Sequence, residues 1–286
     1  MSTSSPPPAA LNFLERWGVI LAVLPLFVGG LNRWPVWEAE IWTQRTCVVP
    51  FGEMLKLVAE DKHPPLFFIV EWLLLHLHAS DAMARLPALV FGLAALAMMQ
   101  RVATRHLGRV QGWFATLLLA LSPYMVCYAA NARSGTLTIL LGIVALGFGL
   151  DLVTGERPRR AAVGLSLSLL VGVYVHYDMF LALGGVALGG IFGLLVDHRP
   201  RAERLRRLGL GVGALVVPVL AFLPWLFGPM QQQHIEDPEH AQERTLKVLR
   251  YLLWPVGPEY IPEGSTILLL LALVGLFSLL RRNARG

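Results

Sequence analysis

The chain has 286 residues, of which 55% are hydrophobic and 15% charged, with a mean hydropathy of +0.59. An ordinary soluble domain is about one quarter charged, so this composition excludes a disordered chain and a simple water-soluble globule. The net charge of +5 would suit nucleic acid in a soluble protein. In an apolar chain it marks basic loops at a membrane face, and no nucleic-acid partner is expected.

Met1 to Ala10 is rich in Ser and Pro, and residues 1–16 are expected to be a disordered cytoplasmic N-terminus. Apolar blocks follow at about 17–31, 64–79, 86–100, 113–127, 135–153, 161–177, 179–196, 208–227 and 265–280. They are long and do not alternate, which points to an all-α polytopic membrane protein and away from a β-barrel. The first block lacks a basic start and a small-residue cleavage site, so it reads as an anchor. Two cysteines, Cys47 and Cys127, exclude a disulfide scaffold and a zinc cluster.

Basic clusters punctuate the blocks: Arg101, Arg105 and Arg109; then Arg157, Arg159 and Arg160; then Arg199 to Arg207; then Arg281, Arg282 and Arg285. Two blocks separate each neighbouring pair, so the clusters share one face, which the positive-inside rule assigns to the cytoplasm. Block 64–79 opens on His63-Pro64-Pro65, carries Glu71, His76 and His78, and is short for a span; it reads as an interfacial helix. The expectation is therefore about eight transmembrane helices with both termini cytoplasmic. One membrane domain would run over 17–280, with a first outside loop at 32–85, a last outside loop at 228–264 and a basic tail at 281–286.

The polar groups that could do chemistry then fall outside. Glu38, Glu40, Asp61, Lys62 and His63 lie in the first loop, Asn131 and Arg133 between two blocks, and His176 and Asp178 in a later turn. Each has a plainer reading. Glu38 and Glu40 can be solvated loop carboxylates. His63 can cap a helix start, Asp61 and Lys62 can form an exposed ion pair, Arg85 can snorkel to headgroups, and Asp178 can cap the next helix.

The order Trp34-x-x-Trp37-Glu38-Ala39, Phe51 to His63-Pro64-Pro65-Leu66, Ala84-Arg85-Leu86-Pro87 to Gly92, Leu121-Ser122-Pro123-Tyr124, Asn131-Ala132-Arg133 and Val175-His176-Tyr177 resembles the polyprenyl-phosphate-dependent glycosyltransferases of the GT-C fold, the family 39 or protein-mannosyltransferase-like group. The resemblance covers about residues 17–227. It implies a GT-C-like inner-membrane protein of a bacterium that moves a hexose, with inversion, from a polyprenyl-phosphate donor to an acceptor glycan, lipid or protein on the outer face. By the same resemblance Glu38 is the candidate base with Glu40 in reserve. His63, Lys62, Arg85 and Arg133 would bind the donor phosphate, while Asp61, Trp37, Asn131 and His176 are candidate substrate contacts.

Inverting transfer needs a carboxylate to take the acceptor's proton and cations for the leaving phosphate. No metal ligand is assigned, and a divalent metal stays open. The chain departs from the pattern in three places: Trp37-Glu38 stands for the family's Asp-Glu, Ala130-Asn131-Ala132-Arg133 for its Gln-Glu-Ala-Arg, and Gly135 for an aromatic. Family members are also commonly longer. These departures keep a second reading open: a non-catalytic relative that binds lipid-linked sugar or serves as a membrane subunit of a larger assembly.

Overall fold

The computed structural model describes residues 9–33, 35–61, 63–195 and 197–227. The chain divides into two compact units, Met1–Gln232 and Gln233–Gly286, and all described residues belong to the first. Lys62, Trp34, the expected last outside loop 228–264, the apolar block 265–280 and the basic tail lie outside the described residues.

Described residues form eleven helices: α1 Ala9–Arg33, α2 Glu38–Cys47, α3 Phe51–Glu60, α4 Leu66–Leu77, α5 Asp81–Leu107, α6 Arg109–Ala120, α7 Pro123–Tyr128, α8 Gly135–Thr154, α9 Pro158–Val173, α10 Met179–Leu195 and α11 Arg201–Phe227. The all-α class stands, but the expected count of about eight membrane-spanning helices does not. Among the described residues three helices, α5, α8 and α11, are long and apolar enough to cross a membrane. This makes the chain an integral membrane protein, with fewer spans among its described residues than their apolar blocks suggested.

Turns that cut the blocks explain the difference. Gly108, at φ 108°, ends α5 and lets α6 fold straight back. The block at 113–127 is broken after Ala120, where Ser122 caps the short α7 and Pro123 takes its first position. The pieces left over are 12 residues in α6 and 16 in α9. That corresponds to about 18 and 24 Å of helix against a hydrocarbon core of about 30 Å. Hydropathy registers how apolar a block is, not how far one helix continues through it; α6 stays apolar on its exposed side, with Val110, Phe114 and Leu118 outward, yet is short for a span.

Helix α5 is the spine. It packs on α1, α4, α6 and α8, while α8 carries α9 and α10, and α9 carries α11. One apolar core joins Phe27, Leu96, Met125 and Ile143; another joins Leu152, Leu165, Leu169 and Phe222. Helices α2 to α4 make a small cap beside the start of α5, with Cys47, Met54, Phe68 and Leu75 inside it. At the far end of α5 the basic turns gather. Arg105 pairs with Asp151 at 3.0 Å, and Arg207 donates to the Leu152 carbonyl at 2.7 Å.

Candidate functional site

The site lies at the end of the bundle where α5 begins, and it is built on a buried ion pair. Arg85, in the second turn of α5, donates from Nε to Glu40 Oε1 at 2.8 Å and from Nη2 to Oε2 at 2.9 Å. Both residues are 1% exposed. Arg85 also donates to the carbonyls of Leu31 at 2.9 Å and Pro35 at 3.3 Å. Glu40 accepts the N–H of Trp37 at 3.1 Å and of Ala132 at 2.9 Å. Four donors converge on one carboxylate. Both of its oxygens are thus occupied, which is how a buried pair repays its desolvation. The pair ties the end of α1, the start of α2, α5 and the 129–134 turn together.

The Ala132 amide carries Arg133 with it. Arg133 Nη2 lies 3.3 Å from His63 Nε2, and Nη1 donates to Thr43 Oγ1 at 3.5 Å. A guanidinium has only donors, so Nε2 of His63 accepts and the ring proton sits on Nδ1. That nitrogen faces the Asp61 carbonyl at 2.8 Å and Asp61 Oδ2 at 3.0 Å. Burial, and then the charge of Arg133, push His63 below its ordinary range and keep it neutral. Trp42 covers the ring at 5.6 Å. Burial also lowers Arg133, with Tyr128 and Asp61 opposing the shift.

A third segment completes the ring of polar groups. The N–H of Leu66 donates to the Tyr174 carbonyl at 2.9 Å, which pins the 174–178 turn to the His63-Pro64-Pro65 turn. Val175 is buried with Phe67 and Leu137 beneath it. His176 Nδ1 lies 3.3 Å from Asp178 Oδ2, and Asp178 is held below the usual carboxylate range, first by that contact. Tyr177 is raised to about 12, by burial and then by the charge of Asp61. Tyr124 and Tyr128 stack at 4.2 Å. Both phenols are pushed up by burial, and both sense Asp178.

The structure therefore gathers Asp61, His63, Arg133 and His176 from three turns. It places Glu40 and Arg85 beneath them, against each other. Asn131 is buried, and its Oδ1 has no hydrogen-bond partner. Glu38 and Trp37 are exposed at the start of α2. Among the described residues Glu38 makes no hydrogen bond or ion pair, so its carboxylate is available. Lys62 lies outside the described residues. Among the described residues no cluster of three or more His, Cys, Asp or Glu could hold a metal ion.

Sequence reasoning missed Tyr124, Tyr128 and Tyr177. Their only signal was position, within short polar runs between apolar blocks. Tyr128 also accounts for Gly135: a Cβ there would lie 2.5 Å from the Tyr128 ring. The ring expected after Arg133 comes instead from five residues before it. Glu71, on α4, is 0% exposed with neither carboxylate oxygen partnered. Burial, and then the charge of Glu40, push its carboxyl up to about 9.

Residues 62–227, more than half of the chain, match the family model described as dolichyl-phosphate-mannose-protein mannosyltransferase. No curated protein and no solved structure matches.

Proposed function

Because the chain belongs to the family described as dolichyl-phosphate-mannose-protein mannosyltransferase, we propose that it is a membrane glycosyltransferase that takes a sugar from a polyprenyl-phosphate donor. One observation supports this most. Arg133 is a largely desolvated guanidinium whose close neighbours are a neutral imidazole, a hydroxyl and a phenol, with no carboxylate in ion-pair contact among the described residues. Arg85 shows the contrast, being fully paired with Glu40. A buried cation without a counter-ion is costly, and a phosphate supplies the missing charge with bidentate geometry.

In this reading the donor phosphate lies against Arg133 and His63, with Asn131 and the Tyr124–Tyr128 pair toward the sugar. Glu38 takes the proton of the acceptor hydroxyl as its oxygen bonds to the sugar C1. The C1–O bond to phosphate breaks on the opposite face, and the electron pair leaves on the polyprenyl phosphate. His63 is neutral beforehand and gains a proton most easily when the phosphate gathers negative charge. Glu40 and Arg85 act as positioning residues through Ala132.

The test is transfer of labelled sugar from polyprenyl-phosphate donors by purified protein, beside direct donor binding. Arg133→Ala should weaken donor binding, and Glu38→Gln should abolish transfer while donor binding stays. Wild type that binds no donor sinks the proposal. Binding without transfer selects the second reading, a lipid-linked-sugar binder or subunit. The occupation of Glu40 by Arg85 favours that reading, because it leaves one free acid at the start of α2.

A further inference from the structure

We propose that His176, oriented by Asp178, is the acid of the transfer and hands a proton to the departing phosphate. This role rests on the glycosyl transfer proposed above and adds a residue to it.

The 174–178 turn makes the pair. Asp178 precedes α10, and the first four amides of that helix are taken by backbone carbonyls: Met179 by His176 at 3.1 Å, Phe180 by Tyr177 at 2.9 Å, Leu181 and Ala182 by Asp178 at 3.0 and 3.2 Å. The Asp178 carboxylate is therefore not needed as a cap. It turns back instead, and Oδ2 lies 3.3 Å from Nδ1 of His176. The N–H of Asp178 donates to the same nitrogen at 3.2 Å. Nδ1 thus has a neighbour for each of its states. Without a proton it accepts the amide, and with one it donates to the carboxylate. An imidazole so placed can gain and lose a proton without moving.

The two imidazoles of the site differ in what they have left to offer. His63 engages both ring nitrogens, Nε2 with Arg133 and Nδ1 with Asp61. Nε2 of His176 has no hydrogen-bond partner among the described residues, and the side chain is 31% exposed. The rings are close. His63, lowered first by burial and then by Arg133, also senses a charge on His176, so a proton on one opposes a proton on the other. Asp178 and Tyr177 face His176 from its own turn, and His63 faces it from the Pro64-Pro65 turn, attended by Asp61 and Arg133. From α7, Tyr124 and Tyr128 sense Asp178.

A phosphate held by Arg133 and His63 then lies beside His176. As the C1–O bond breaks, its electron pair stays on the phosphate oxygen. The Nε2 proton of the His176 imidazolium passes to a phosphate oxygen, while Nδ1–H stays against Asp178 Oδ2. The carrier leaves as a phosphomonoester monoanion, and water returns a proton to the exposed ring. The acceptor's proton goes to Glu38, as before.

The test is single-turnover transfer by the full chain in mild detergent, preloaded with a labelled polyprenyl-phosphate sugar and followed across about pH 5 to 9. Wild type should give a bell, its acid limb from the carboxylate base and its alkaline limb from His176. His176→Gln should transfer about 100-fold more slowly, lose the alkaline limb and bind donor as wild type does. Asp178→Asn should keep that limb but move it to lower pH, since the carboxylate no longer favours the imidazolium. His63→Gln, though weaker in donor binding, should keep the limb in place. His78→Gln, at the exposed end of α4, should match wild type.

An unchanged alkaline limb in His176→Gln overturns this role and leaves the Glu38 and Arg133 assignments standing. Loss of donor binding equal to the loss of rate also overturns it, by making His176 a binding contact. Wild type that transfers no sugar overturns both readings together. If His176→Gln does not fold, the limb of Asp178→Asn decides, and no movement counts against the pair.

Discussion

Glu40 and Arg133 are joined through one peptide: Oε1 of Glu40 accepts the Ala132 N–H at 2.9 Å, next to the residue that carries the site's guanidinium. The group that closes the interior thereby fixes where the unpaired cation stands. This linkage separates two arginines that look alike in the sequence. Arg85 is spent on holding helices together, and Arg133 is held by the result.

Glu40→Ala should therefore be damaging out of proportion to its size. It strands Arg85 without its carboxylate, and removing one partner of a buried pair costs about 3–5 kcal/mol. The double variant Glu40→Ala, Arg85→Met should recover part of that loss. Thermal unfolding in detergent reads both. A double variant no more stable than the single one would show that the pair is not a closed unit.

Arg133 should behave in the opposite way. Its bonds to Thr43 and His63 are long, at 3.5 and 3.3 Å, so Arg133→Ala should leave the melting temperature nearly unchanged. Donor affinity should fall about 10- to 100-fold, the range of a lost charge-assisted contact. Arg133→Lys should restore part of it. A large fall in stability with unchanged donor affinity would assign Arg133 to the scaffold.

Glu71 gives a stability prediction with a definite sign. Its folded pKa of about 9 stands well above the ordinary carboxylate value of 4.5. Between those values the folded state holds a proton that the unfolded chain has released, so stability falls as pH rises through that window. Glu71→Gln removes this loss. It should stabilise the protein at pH 7 by on the order of 2–3 kcal/mol and change little near pH 4.5. Thermal melts of wild type and variant across pH 4.5–9 would show it, and parallel curves would count against a buried neutral acid.

His63 runs the other way. Its folded pKa is lowered by burial and by Arg133, so below the ordinary value of 6.5 the unfolded state binds the extra proton. Its contribution is full above pH 6.5 and is lost as pH falls through the folded pKa. His63→Gln should flatten the acid side of the stability profile. Donor phosphate should shift the His63 titration upward, measurable by NMR of labelled histidine; no shift on saturation with donor would take His63 away from the phosphate.

The sequence made part of this legible. Apolar blocks named the membrane class, and the order His63-Pro64-Pro65, Asn131-Ala132-Arg133 and Val175-His176-Tyr177 pointed to the residues that three turns bring together. The span count was not legible, because an apolar stretch that a turn cuts into short helices has the same composition as one that continues as a single long helix. Only the turns at Gly108 and at Ser122-Pro123 separate them. The pairing of Glu40 with Arg85, 45 positions apart, was equally hidden. Both were candidates for chemistry as single residues, and only their geometry shows that each is taken up by the other. Gly135 reads in the sequence as a lost aromatic, whereas in the fold the Tyr128 ring fills the space above it.

The bond from the Leu66 N–H to the Tyr174 carbonyl has a consequence for the order of synthesis. The two residues emerge more than a hundred positions apart. A nascent chain that has reached Ala132 already holds Leu31, Pro35, Trp37 and Ala132, which bond to the Glu40–Arg85 pair. The same chain has no 174–178 turn to set beside His63. Inner scaffold and candidate site are thus separable in time, these contacts of the one available before α8 exists, the other only after α9 has been made and has folded back.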